Sequence, residues 1–149
     1  MGNPILSDDG VGIWITEQLK PILKNATVKS TTMVGLHLLD MLAGYFYLFI
    51  IDACTTGLNP VGTIVKLTDG NGCRHLFSSH GMNFFTLINM GKQMGLIMPE
   101  IIHIYGIEIG REVGFGIEFS LEIQKKLPQI LEDLQTATNK VHNFNKCVI

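Results

Sequence analysis

The stretch Tyr45-Phe46-Tyr47-Leu48-Phe49-Ile50-Ile51, followed at once by Asp52, constrains this chain more than any other part of it. An apolar run without alternation fits a strand covered on both faces, as happens where helices flank a parallel sheet. The wider run from Met41 to Ile51 is well short of the roughly 20 residues that span a bilayer, so it reads as a buried helix end and strand. With 149 residues, 46% of them hydrophobic and 16% charged, the chain is long enough for one domain with a continuous core.

The rest of the pattern alternates helix and strand. Val11, Ile13, Trp14, Ile15, Leu19, Ile22 and Leu23 fall largely on one helical face, in a helix that Pro21 ends or kinks. Thr27 to Val34, rich in β-branched residues, reads as a strand, and Gly35 to Leu42 as a short amphipathic helix broken by Gly44. Thr63 to Leu67 reads as a short strand before the Asp69-Gly70-Asn71-Gly72 turn, and Met82 to Met94 as a helix. Glu100 to Glu108 is a buried strand, and Phe119 to Leu134 a closing helix that tolerates Pro128. From about Thr136 the periodicity decays into Asn, Lys and Thr, so residues 1–135 form a single domain and 136–149 read as a flexible tail. The whole is a three-layer α/β/α domain with a mixed, mostly parallel sheet.

Charge and cysteine usage remove several function classes. The formal charge is −2 with no basic cluster, which argues against a nucleic-acid partner. No charged leader and apolar stretch open the chain, so the expected location is cytoplasmic, without membrane insertion. Three cysteines, Cys54, Cys73 and Cys147, with no Cys-x-x-Cys pair, read as free thiols rather than a disulfide framework or zinc site.

In such sheets ligands bind beyond the carboxyl ends of the strands, which singles out Asp52. The opening run Gly2-Asn3-Pro4-Ile5-Leu6-Ser7-Asp8-Asp9-Gly10-Val11-Gly12 packs turn glycines, two acids and a helix start together; Ser7 or Asp8 can cap that helix while Asp9 projects toward the cleft. His80 stands in a loop leading into a helix. Asp9, Asp52 and His80 thus offer oxygen and nitrogen donors that suit a borderline divalent ion such as nickel or zinc. The competing reading of each residue alone is a solvated acid or a helix cap. His37, His75, His103 and His142 lack a second donor at convincing spacing and stay outside the expected site.

The Gly-Asn-x-x-Leu-x-Asp-Asp-Gly-x-Gly opening, the strand end Ile50-Ile51-Asp52-Ala53, the Ser79-His80-Gly81 step and the strand end Tyr105-Gly106-Ile107-Glu108 together resemble the hydrogenase maturation endopeptidases, in the same order along the chain. The resemblance implies an aspartic-type, metal-dependent endopeptidase that removes the C-terminal extension of a nickel-iron hydrogenase large-subunit precursor after nickel insertion. It implies that Asp9, Asp52 and His80 bind nickel, supplied by the precursor. It also implies a five-stranded sheet with one antiparallel edge strand, here Thr63 to Leu67. The resemblance places an apolar strand before the Gly-Asn turn that the sequence from Met1 does not contain, so four strands are expected here, and a misassigned start is the preferred reading. Ser30-Thr31-Thr32-Met33 stands where relatives carry an Asp-Gly-Gly-Thr-like segment, and Pro60-Val61-Gly62-Thr63 adds a residue to a Pro-Gly-Thr turn. Neither a Gly-x-Ser-x-Gly elbow nor a His-Glu-x-x-His helix is present. The rival reading is a non-catalytic, metal-dependent binding module or chaperone for the precursor.

Overall fold

In the computed structural model the described residues are 1–24, 26–68, 72, 73, 75, 76, 83–111, 114–140 and the backbone of 147 and 148. A 3-10 turn, Ser7–Gly10, leads directly into α1 (Val11–Leu19), which stops before Pro21. A second such turn, Gly35–His37, leads into α2 (Leu38–Leu42). Strands β1 (Tyr47–Cys54) and β2 (Ile64–Leu67), helix α3 (Phe84–Gln93), strand β3 (Ile101–Glu108), helix α4 (Leu121–Asn139) and strand β4 (Cys147–Val148) follow. The sheet order is β2-β3-β1-β4, with β1 parallel to β3 and β4, and β2 antiparallel to β3 as the resemblance implies.

The unalternating run does what its composition demands. β1 sends Phe49, Ile51 and Ala53 against Val11, Ile15 and Leu19 of α1 and Ile123, Ile130 and Leu134 of α4. Its other face sends Leu48, Ile50 and Cys54 against Leu38, Leu39 and Leu42 of α2 and Leu87 and Ile88 of α3. Each Leu, Ile or Phe among these contributes about 1.5 to 3 kcal/mol when fully buried, so the strand is fixed from both sides. These are the three layers, helix on both faces of the sheet.

Two elements differ from the sequence reading. No strand forms over Thr27 to Val34: Thr27 makes a single bridge, and Val28 to Val34 run without sheet pairing. A strand needs a neighbour, and here Lys29 and Thr31 line one wall of a groove whose other wall is Leu48 to Ile51 of β1. The segment is held instead by Lys29, which donates to the Met41 carbonyl at 3.1 Å and lies over the Tyr45 ring. On the same edge β1 pairs with β4, and the Met1 amino group donates to the Ile51 carbonyl. The fourth strand is therefore drawn from the segment read as a tail. α4 also continues to Asn139, past the expected boundary at 136. Residues 141–146 and 149 lie outside the described residues.

Helix ends follow local chemistry. Asn83 accepts from the Thr86 amide to start α3, and Ser120 accepts from the Ile123 amide to start α4.

Candidate active site

The Ser7–Gly10 turn delivers two acids in different directions. Ser7 has a positive φ of 46°, an uncommon conformation for a residue with a Cβ. It is held there by its amide, which donates to the Gly116 carbonyl at 2.7 Å, and by its hydroxyl, which donates to the Glu118 carbonyl at 2.6 Å. Neither Ser7 nor Asp8 caps α1 with its side chain. Asp8 Oδ1 instead accepts from the Ser120 amide at 2.7 Å, tying the first residue before α4 to the opening turn. Replacing Asp8 with Ala should lower stability by about 2 kcal/mol, the worth of a charged hydrogen bond in a covered position, as read from urea unfolding. It should leave the acids described next in place.

Asp9 and Asp52 are 1% and 0% exposed. They are brought together because Gly12 lets α1 approach β1 closely: a Cβ there would stand 2.7 Å from the Ile51 carbonyl oxygen and 3.1 Å from Asp52 Cα. Asp52 lies in the carboxyl-terminal half of β1, paired with Gly106 of β3, and the strand runs two residues beyond it.

Between the two acids stands His75. Its Nδ1 lies 2.9 Å from Asp52 Oδ1, its amide donates to Asp52 Oδ2 at 3.0 Å, and its Nε2 lies 3.2 Å from Asp9 Oδ2. Burial alone pulls this imidazole down, but the hydrogen bonds and charges of Asp52 and Asp9 outweigh it and hold it up at about 9. At neutral pH the site is therefore an imidazolium clasped by two carboxylates. A cation between acids is what the charge of such a pair requires; the structure fills that place with a side chain.

The two expected acids thus converge. His80, the third expected residue, lies outside the described residues, as do Ser79 and Gly81. His75, set aside on sequence for want of a nearby donor, is the imidazole that meets the acids. Its partners are far away in sequence: Asp9 and Asp52 stand on the opening turn and on β1, and no local pattern around His75 points to them.

Next to this cluster, Glu108 ends β3 fully buried and accepts from Thr56 Oγ1 at 2.5 Å and from the Gly57 amide at 2.8 Å. The Thr55 amide in turn donates to the Gly72 carbonyl at 3.0 Å, so this loop steadies the segment that carries His75. Burial pushes the Cys54 thiol up to about 12, and burial likewise raises Cys73.

The family model described as HycI, hydrogenase maturation protease, matches residues 16–137, most of the chain. The chain belongs to the hydrogenase maturation protease family. Solved structures agree in fold. The maturating endopeptidase HybD from E. coli is 20% identical with a TM-score of 0.66, covering 94% of this chain and 89% of that one. A second endopeptidase from Escherichia coli, also 20% identical, gives 0.71 over 95% and 90%. HycI from Thermococcus kodakarensis KOD1, at 18%, gives 0.62 over 93% and 88%. No curated protein sequence matches. Among the described residues of the protease, no helix is long and apolar enough to cross a membrane, and no group of three or more His, Cys, Asp or Glu could hold a metal ion as they stand.

Proposed function

We propose that this protease removes the C-terminal extension of a nickel-iron hydrogenase large-subunit precursor once nickel has been inserted, and that Asp9, Asp52 and His80 are the groups that meet the nickel. The observation that carries this reading is the clasp of His75 by two buried acids at the carboxyl end of the sheet. Two carboxylates sharing one small site repel each other unless a positive charge lies between them. Here that charge is the His75 imidazolium; the precursor's nickel would be a stronger one, and oxygen and nitrogen donors suit it.

On this reading nickel is part of the substrate. The isolated protease holds metal weakly, because His75 competes for both acids, and the coordination is completed by ligands of the precursor. Hydrolysis of the peptide bond then needs a base for the attacking water and a proton for the leaving amine. Asp9 or Asp52 can serve as the first, and His75, charged at neutral pH and released from between them, can supply the second.

The test is mass spectrometry of precursor incubated with the protease, with and without inserted nickel. The nickel-loaded precursor should lose its C-terminal extension and the nickel-free one should keep it. Asp9→Ala and His80→Ala should each stop the cleavage, whereas Asp8→Ala should not. Precursor that is bound but never shortened would overturn the endopeptidase and make the chain a metal-dependent binding module.

A further inference from the structure

We propose that Cys54 and Cys73 form a dithiol site that a low-molecular-weight disulfide oxidises to an intramolecular disulfide, fastening the segment that carries His75 to β1. Cys54 and Cys73 face each other across an isolated antiparallel bridge, and both are free thiols. The bridge type follows from its hydrogen bond. The Thr55 amide donates to the Gly72 carbonyl, one residue outside the pair on each side, so Cys54 and Cys73 form a non-hydrogen-bonded pair. In such pairs the Cα atoms stand about 4.5 Å apart with the side chains on one face, inside the range a disulfide spans.

The same register explains why the bond matters for the site. Two residues back along β1 stands Asp52, whose carboxyl accepts from the amide of His75, two residues on from Cys73, and meets its Nδ1. The cysteine pair therefore adjoins the contact between Asp52 and His75. Cys54 Sγ now lies 3.8 Å from Glu108 Oε2, above Gly106, where a Cβ would come within 2.6 Å of it.

The chemistry is two successive exchanges. The Cys73 thiolate, carried on the shorter segment, attacks one sulfur of oxidised glutathione and expels glutathione, leaving a mixed disulfide. The Cys54 thiolate then attacks the Cys73 sulfur and expels the second glutathione. Two protein thiols are oxidised and one small disulfide is reduced to two thiols. Both cysteines are buried, at 0% and 4% exposure, so the exchange in the folded protein runs over hours rather than minutes.

The test treats the full chain with oxidised glutathione, without denaturant, and maps the tryptic peptides by mass after blocking the remaining thiols. The expected result is a peptide pair joining Cys54 to Cys73, lighter by two hydrogens, absent in Cys54→Ser and Cys73→Ser and reversed by dithiothreitol. Because the bond closes a loop of roughly 20 residues, the oxidised protein should melt about 5 to 10 °C higher. A linkage that forms only in denaturant, linkages made only through Cys147, or a lowered melting temperature in the linked protein would each overturn the proposal. All three readouts are independent of protease activity.

Discussion

Asp52→Asn is expected to abolish cleavage of the nickel-loaded precursor while leaving a folded protein. The side chain has no solvent exposure, so a substitute of the same shape is needed to separate charge from packing. Asparagine keeps one acceptor for the His75 amide but loses the negative charge that, with Asp9, holds the imidazole up near 9. His75 then has only Asp9 to hold it up against burial, so its value falls from about 9. The variant thus loses one acid that would meet nickel, one candidate base and part of the charge that keeps the proposed proton donor protonated. Loss of general acid–base assistance alone is worth roughly 10² to 10⁴ in rate. Single-turnover processing followed by mass, beside circular dichroism to show the fold, decides it. Cleavage within a few-fold of the parent rate would mean that Asp52 only positions His75.

The contrast with Asp8 shows how far the sequence could be read. Two adjacent acids at a helix start point in different directions, and the resemblance, not that geometry, singles out Asp9 as the one that faces the cleft. What Asp8 does instead could not be read locally, since its partner, the Ser120 amide, is supplied by the far end of the chain. β1 was legible because its run of apolar residues has no other stable use, and β2 because alternation over Thr63 to Leu67 bounded by turns suits an edge. Thr27 to Val34 has the composition of a strand, but composition does not provide a neighbour, and the β1 edge is taken by Met1 and β4. Cys147–Val148 is too short to carry any period. The last turn of α4 was hidden because the position after Leu134 on the buried face is Thr138, whose hydroxyl is satisfied by the Leu134 carbonyl at 2.8 Å. His75 was missed because its place beside Asp52 is set by the antiparallel bridge of Cys54 with Cys73, a pairing that no local pattern announces.

Raising the pH of the metal-free protease from about 6.5 to about 9 is expected to lower its stability by about 3 kcal/mol. His75 is held up at about 9 in the folded protein, against an ordinary value near 6.5 in the unfolded chain. Between those values the folded state keeps a proton that the unfolded state has released, so stability falls as pH rises. Below the unfolded value both states are protonated and the full contribution is present; above the folded value it is gone. Urea unfolding at pH 6, 7.5 and 9 should show this slope, and His75→Gln should flatten it. A parent protein with no slope, or with stability rising over this window, would mean that the imidazole is neutral and the acids are not clasped around a cation. Precursor affinity should move the other way. As His75 gives up its proton it competes less well for Asp9 and Asp52, so nickel-loaded precursor should bind more tightly toward pH 9 as the empty protease grows less stable. A protein in which both quantities moved together would not be exchanging one cation for another at these two acids.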